Sequence, residues 1–169
     1  MYSGLIGWKP NEDAVLYFYD KIYSLLKEKL PDVKWFIVGK NPRQIIQKLS
    51  VHDQSITVTG TVPEVKPYIE KCHVVVVPLR VGSGTRLKIL EAMALGRAVV
   101  STSIGCEGLE VTHGKNILIA DEPQDFATQV VRLFNDEVLR RRIVNNARQL
   151  VESTYDWEII EKKVAQCFL

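Results

Sequence analysis

Short apolar runs alternate with stretches of helical periodicity along the whole sequence, and two of the runs, "VVVV" at Val74–Val77 and "AVV" at Ala98–Val100, are apolar at every position. A strand with one wet face alternates polar and apolar residues. An unbroken apolar run needs cover on both faces, which the parallel sheets of α/β proteins supply. Strands are expected at Tyr2–Ile6, Lys34–Val38, Ile56–Thr59, Val74–Val77, Ala98–Ser101 and Ile117–Ala120. Helices are expected between them at Glu12–Lys29, Pro42–Leu49, Pro67–Cys72 and Arg86–Leu95, then at Pro123–Asn135, Glu137–Glu152 and Asp156–Phe168. Strict alternation with right-handed crossovers predicts a doubly wound parallel sheet of about six strands, with helices on both faces. At 169 residues and 46% hydrophobic content, with no Pro/Gly/Ser-rich linker, residues 1–169 are expected to form one domain, closed by a tail helix over 156–169.

A formal net charge of +2 gives no global reason to bind nucleic acid, so any anion site must be local. Cys72, Cys106 and Cys167 are scattered and odd in number, which argues for free thiols and a cytoplasmic setting. No apolar run approaches the ~20 residues needed to span a bilayer. The three histidines have no metal-ligand spacing. Trp8 is expected to line a crevice, Trp35 to sit in the core and Trp157 to anchor the tail helix. The Arg140–Arg142 run reads as a solvated face. Pro10, then Asn11 as N-cap, then Glu12 and Asp13 give the first helix an ordinary start.

The helix after the fourth strand starts differently. In "VVVVPLRVGSGTRLKILEAMALG", Val74 to Gly96, Gly82, Ser83 and Gly84 leave peptide N–H groups bare, and Thr85 is the expected N-cap. Lys88 then stands where a capping box has Glu or Gln, and Arg86 adds a second cation. At the positive end of a macrodipole this forgoes some tenths to about 1 kcal/mol unless an anion sits at the helix start. A diphosphate would take the N–H groups, the guanidinium fork and the ammonium together. A tight turn with solvated cations satisfies the same residues. A 3.6-residue period places Leu87, Leu90, Glu91 and Ala94 on one face, expected to pack on the sheet, where the Glu91 carboxylate would need donors. Either loop N–H groups or a pair of ribose hydroxyls meet that need.

The segment "PLRVGSGTRLKILEAMALGRAVVSTSIGCEGLEV", Pro78 to Val111, resembles the donor-binding segment of GT-B glycosyltransferases of the large bacterial family 4, or group 1. It is most similar to the subgroup with the pattern G-x-G-T-R-L-K-x-L-E-A-M-A. An opening "YSGLIGWKPNEDAV", a "VTGTVPEVKPYI" segment and "ILIADEPQDFATQVVRLF" agree in order, so the resemblance covers essentially the whole chain. It implies a Rossmann-like α/β domain, one half of a GT-B fold. The implied activity is transfer of a sugar, with retention, from a UDP-sugar or GDP-sugar without a metal. It implies an acceptor-binding half lying elsewhere, a cytoplasmic location that allows contact with the inner face of a membrane, and a tail helix that crosses back through Trp157, Ile160, Val164 and Phe168.

Residue by residue, the family's pair of donor-binding glutamates falls on Ser83, towards the transferred sugar, and on Glu91, towards the ribose. The Ser83 hydroxyl is the weaker partner. The family's Arg and Lys in the loop after the first strand are also missing. That loop opens at Gly4 and carries Leu5 at the Arg position, with Lys9 an approximate substitute for the Lys. Arg86 and Lys88 are expected to supply the missing charge from the opposite loop and to stabilise the leaving diphosphate electrostatically. Gly105 resembles the glycine that approaches the donor, and Gly60 and Thr61 the backbone that meets the base. Glu107 reads equally as a donor contact or a solvated loop acid. A GT-B nucleotide-sugar epimerase and a stand-alone nucleotide-binding or interaction module are the alternatives. A dehydrogenase is disfavoured because no GxGxxG follows the first strand.

Overall fold

The computed structural model describes residues 1–82 and 84–166. In chain order they form β1 (Tyr2–Ser3), α1 (Lys9–Tyr17), which runs through a π-helical turn (Phe18–Tyr23) into α2 (Ser24–Lys29), and β2 (Trp35–Val38). Next come α3 (Gln44–Gln47), α4 (Leu49–His52), β3 (Ile56–Val58), α5 (Lys66–Lys71), β4 (Val74–Val77), α6 (Leu87–Ala94) and β5 (Ala98–Ser101). A 3₁₀ turn (Ile104–Cys106) leads to β6 (Leu118–Ile119), then α7 (Pro123–Asn135), α8 (Glu137–Leu150), a second π-helical turn (Val151–Tyr155) and α9 (Trp157–Gln166).

All ladders are parallel, in the orders β1-β2-β3 and β4-β5-β6. Met1 joins them: its carbonyl accepts from Val76 N–H at 2.9 Å and its nitrogen donates to the Val74 carbonyl at 2.8 Å. β1 thus lies between β2 and β4, and the full order is 3-2-1-4-5-6. That is the doubly wound order, in which the direction of travel reverses between β1 and β4 and leaves a crevice beyond their carboxyl ends. β4 and β5 are buried at every position, as their unbroken apolar sequences require.

The core is stitched by aromatic rings. Phe18 lies 4.6 Å from Trp35 and 6.0 Å from Phe126 between ring centroids, and Tyr23 lies 5.5 Å from Trp35. The π-helical turn lets Phe18, Ile22 and Tyr23 all face inward. Where the sequence predicts one helix from Glu12, the helix begins three residues earlier, with Trp8 as N-cap and Pro10 in its first turn, so Asn11 is not the cap but a buried residue of the helix.

Other boundaries move for local reasons. β1 ends at Ser3 because Gly4 turns the chain away at φ 151°, and Gly39 packs so closely that a Cβ there would overlap the Gly4 carbonyl. The segment expected as one helix from Pro42 divides into α3 and α4 at Lys48. Trp157 does not anchor the tail: it is 82% exposed at the start of α9. Phe168 and Cys167, like Ser83, lie outside the described residues.

Candidate functional site

At the switch point, the loop after β1 and the start of α6 enclose a crevice of about 280 Å³. Gly4, Leu5 and Trp8 line one side, and Thr85, Arg86 and Glu91 the other. Asn11 and Lys88 meet across its floor. The Lys88 Nζ donates to Asn11 Oδ1 at 2.9 Å and to the Tyr2 hydroxyl at 3.0 Å, and sits 4.2 Å from the centroid of the Tyr2 ring. Asn11 is oriented by its own amide, which donates to the Leu5 carbonyl at 2.9 Å, and its oxygen also receives the Tyr2 hydroxyl proton. Gly4 makes room for the ammonium, since a Cβ there would lie 3.1 Å from Nζ.

Electrostatics follow from that placement. Burial, then the positive charge of Arg86, pushes the Lys88 pKa down to about 7, with the Glu91 carboxylate opposing. Burial raises the Tyr2 phenol above its ordinary range, so it remains a protonated donor. Among the described residues Lys88 makes no ion pair with a carboxylate. Both hydrogen-bond acceptors of the Lys88 Nζ at the crevice floor are neutral.

Arg86, not Thr85, is the N-cap of α6, so the helix begins at Leu87. Its side chain is 5% exposed. Nη2 donates to the Gly82 carbonyl at 3.1 Å and the Ile104 carbonyl at 3.0 Å, tying the loop after β4 to the loop after β5, and lies 4.0 Å from the Glu107 carboxylate. The guanidinium therefore shapes the glycine loop as well as charging the crevice.

The expected phase of α6 is corrected. Its buried residues are Ile89, Ala92 and Met93, whereas Leu87 is 61% exposed and Glu91 and Ala94 are also exposed. The helix carries apolar residues on two faces, and the set spaced i, i+3, i+4 took the sheet. Glu91 is thus not a dry carboxylate in search of donors but an open one on the crevice wall, one turn beyond Lys88.

The other sequence-selected residues divide. Thr85 and Gly84 are exposed at the glycine loop, with φ 85° at Gly84, and φ is 138° at Gly82. Glu107 lies beside Arg86, and its side chain is 72% exposed. Gly105 is packed against the sheet, where a Cβ would overlap the Ser101 hydroxyl and the Val77 carbonyl, so protein packing already demands a glycine there. Gly60 and Thr61 line a separate open hollow with Asn41 and Pro42. Lys9 is exposed at the start of α1 and is not among the described crevice-lining residues. Tyr2 and Asn11 were missed, because one looks like an ordinary strand residue and the other like a helix cap.

This crevice, on this strand order, is where a nucleotide sits in doubly wound proteins. Residues 1–136 match the family described as glycosyl transferases group 1. The chain belongs to that family. A sequence similar to it is an uncharacterised 44.6 kDa protein in the cps region of Klebsiella pneumoniae, 26% identical over 163 residues, which cover 92% of this chain and 42% of that protein. The chain thus spans less than half the length of that relative.

Among solved structures, the C-terminal domain of the group 1 protein LpcC from Francisella tularensis superposes with a TM-score of 0.74 at 20% identity, covering 93% of this chain and 84% of that one. HepE from Anabaena, solved in complex with UDP, superposes with a TM-score of 0.71 at 21% identity, covering 88% of this chain and 45% of that one. At these identities the superpositions establish the fold, which is the Rossmann-like fold of GT-B glycosyltransferase domains. Among the described residues no group of three or more His, Cys, Asp or Glu converges, and no helix is long and apolar enough to cross a membrane.

Proposed function

We propose that the crevice holds the diphosphate of a UDP-sugar or GDP-sugar, and that this chain forms the donor-binding half of a retaining, metal-independent glycosyltransferase. The acceptor half belongs to a part of the enzyme outside residues 1–169. The observation that carries this reading is the convergence at the β1/β4 switch point of the Lys88 ammonium, the Arg86 guanidinium and the open Glu91 carboxylate. Family membership and the UDP bound by HepE support the same reading.

Sugar transfer leaves negative charge on the departing diphosphate. Lys88 and Arg86 stabilise that charge electrostatically, a role that needs no proton given up by either. Glu91 accepts hydrogen bonds from the ribose hydroxyls. The glycine loop contributes N–H groups that no Cβ shields. The acceptor is a glycan or lipid of the cell-surface polysaccharide class, and the enzyme works in the cytoplasm, at the inner face of the membrane.

A thermal-shift panel of UDP, GDP, ADP and their sugars tests the site, because a ligand that binds only the native state raises the melting temperature. One base is expected to stand out. Glu91→Gln is then expected to weaken binding of that nucleotide roughly tenfold, as loss of one charged hydrogen-bond acceptor implies, with an unaltered melting temperature in the free protein. No shift with any of the nucleotides would overturn the proposal.

A further inference from the structure

The floor of the crevice is built around one ammonium. Tyr2 from β1 and Asn11 from α1 both aim an oxygen at the Lys88 Nζ, and both oxygens are neutral. The cage is itself braced, with the Tyr2 hydroxyl donating to Asn11 Oδ1 and the Asn11 amide held by the Leu5 carbonyl. Gly4 leaves the opening through which Nζ meets the crevice. The charged or titratable groups facing Lys88 are Arg86 at the N-cap of its own helix α6, Glu91 one turn further along that helix and Tyr2 on β1, with Asp13 of α1 acting on Tyr2. Arg86 repels the ammonium, Tyr2 is protonated, and Glu91 is the one acid of this set acting on Lys88 directly.

We infer that Tyr2 and Asn11 are positioning residues that hold Lys88 as a proton-accepting clamp, so that a nucleoside diphosphate enters together with a proton taken up on Nζ. The inference rests on the donor-site reading above and deepens it. The free site has an amine that desolvation and Arg86 discourage from carrying charge. Two negatively charged phosphates within reach of Nζ reverse that balance. The proton comes from a solvent or buffer acid, whose bond to it breaks as the new N–H bond forms on Nζ, and the neutral amine becomes the ammonium that the leaving diphosphate faces.

With Nζ titrating at about 7 in the free chain, two consequences can be measured. Affinity for a nucleoside diphosphate falls as pH rises above that value, by roughly tenfold per unit until the bound-state pKa is reached, because the neutral form must first be protonated. At about one unit above it, roughly 0.9 of a proton is taken up per nucleotide bound.

The experiment is isothermal titration of the full chain with UDP, GDP and ADP, at a pH about one unit above neutrality, in two buffers of different ionisation enthalpy. The difference in observed heat counts the protons. Three variants accompany it. Lys88→Arg is charged at every pH and is expected to bind with no proton uptake and a flat pH profile. Asn11→Asp sets a carboxylate against Nζ and is expected to keep it charged, abolishing uptake while weakening the diphosphate by repulsion. Tyr2→Phe keeps the ring, loses one acceptor and is expected to shift the pH midpoint. If a nucleotide binds the native chain with no proton exchange, or if Lys88→Arg retains the native uptake, the clamp is overturned and the donor site stands. If none of the three nucleotides binds, the donor site falls and the clamp with it.

Discussion

Lys88 shows how much of a residue's chemistry is set by neighbours that sequence distance conceals: Tyr2 and Asn11 lie 86 and 77 positions away in the chain. Its depressed pKa has a stability consequence. Between about 7, where it titrates in the fold, and the ordinary lysine range, where it titrates when unfolded, the unfolded chain binds more protons, so stability rises with pH across that window. Lys88→Met removes this dependence. Urea unfolding is expected to find the variant stabilised relative to the native chain at acid pH, with the gain shrinking as pH climbs above neutrality. A second residue-scale prediction concerns Gly39, whose positive φ and contact with the Gly4 carbonyl leave no place for a side chain. Gly39→Ala is expected to destabilise by about 2–4 kcal/mol and to displace the β1 loop, so that nucleotide binding weakens even below the melting transition.

Helices whose ends are set by local chemistry were legible, and those whose ends answer to neighbours were not. α7 runs from Pro123 to Asn135 as its sequence predicts, and α8 follows behind Asp136, whose carboxylate accepts from Leu139 N–H at 2.8 Å. Asp136→Ala is expected to lower stability by about 1 kcal/mol, seen as a small fall in melting temperature with nucleotide affinity unchanged, because this cap is remote from the crevice. α6 is the contrary case. Its phase depended on whether Leu87 and Leu90 or Ile89 and Met93 met the sheet, and the two stripes are nearly equal in apolarity. Packing against β4 and β5 decided it. The first helix likewise started early because Asn11 has a buried partner in Lys88, which cap statistics cannot foresee.

At the scale of the whole molecule, the aromatic cluster holds the two flanks of the sheet together. Phe18 touches Trp35 of β2 and Phe126 of α7, so Phe18→Ala opens a cavity between layers. It is expected to cost about 3–5 kcal/mol, measured by denaturant unfolding. The sequence by itself determined the class of fold and the strands at its centre, because a run apolar at every position has no stable home except between two covering layers. It also determined the family, through one contiguous glycine-loop and helix segment whose meaning does not depend on distant residues. Tertiary structure alone decided which helix face carries Glu91, that Arg86 braces two loops, that Gly105 answers to packing and that Lys88 is caged by Tyr2 and Asn11. Each of these depends on groups brought together across the β1/β4 switch point or across packed layers, and desolvation and charge act through space rather than along the chain.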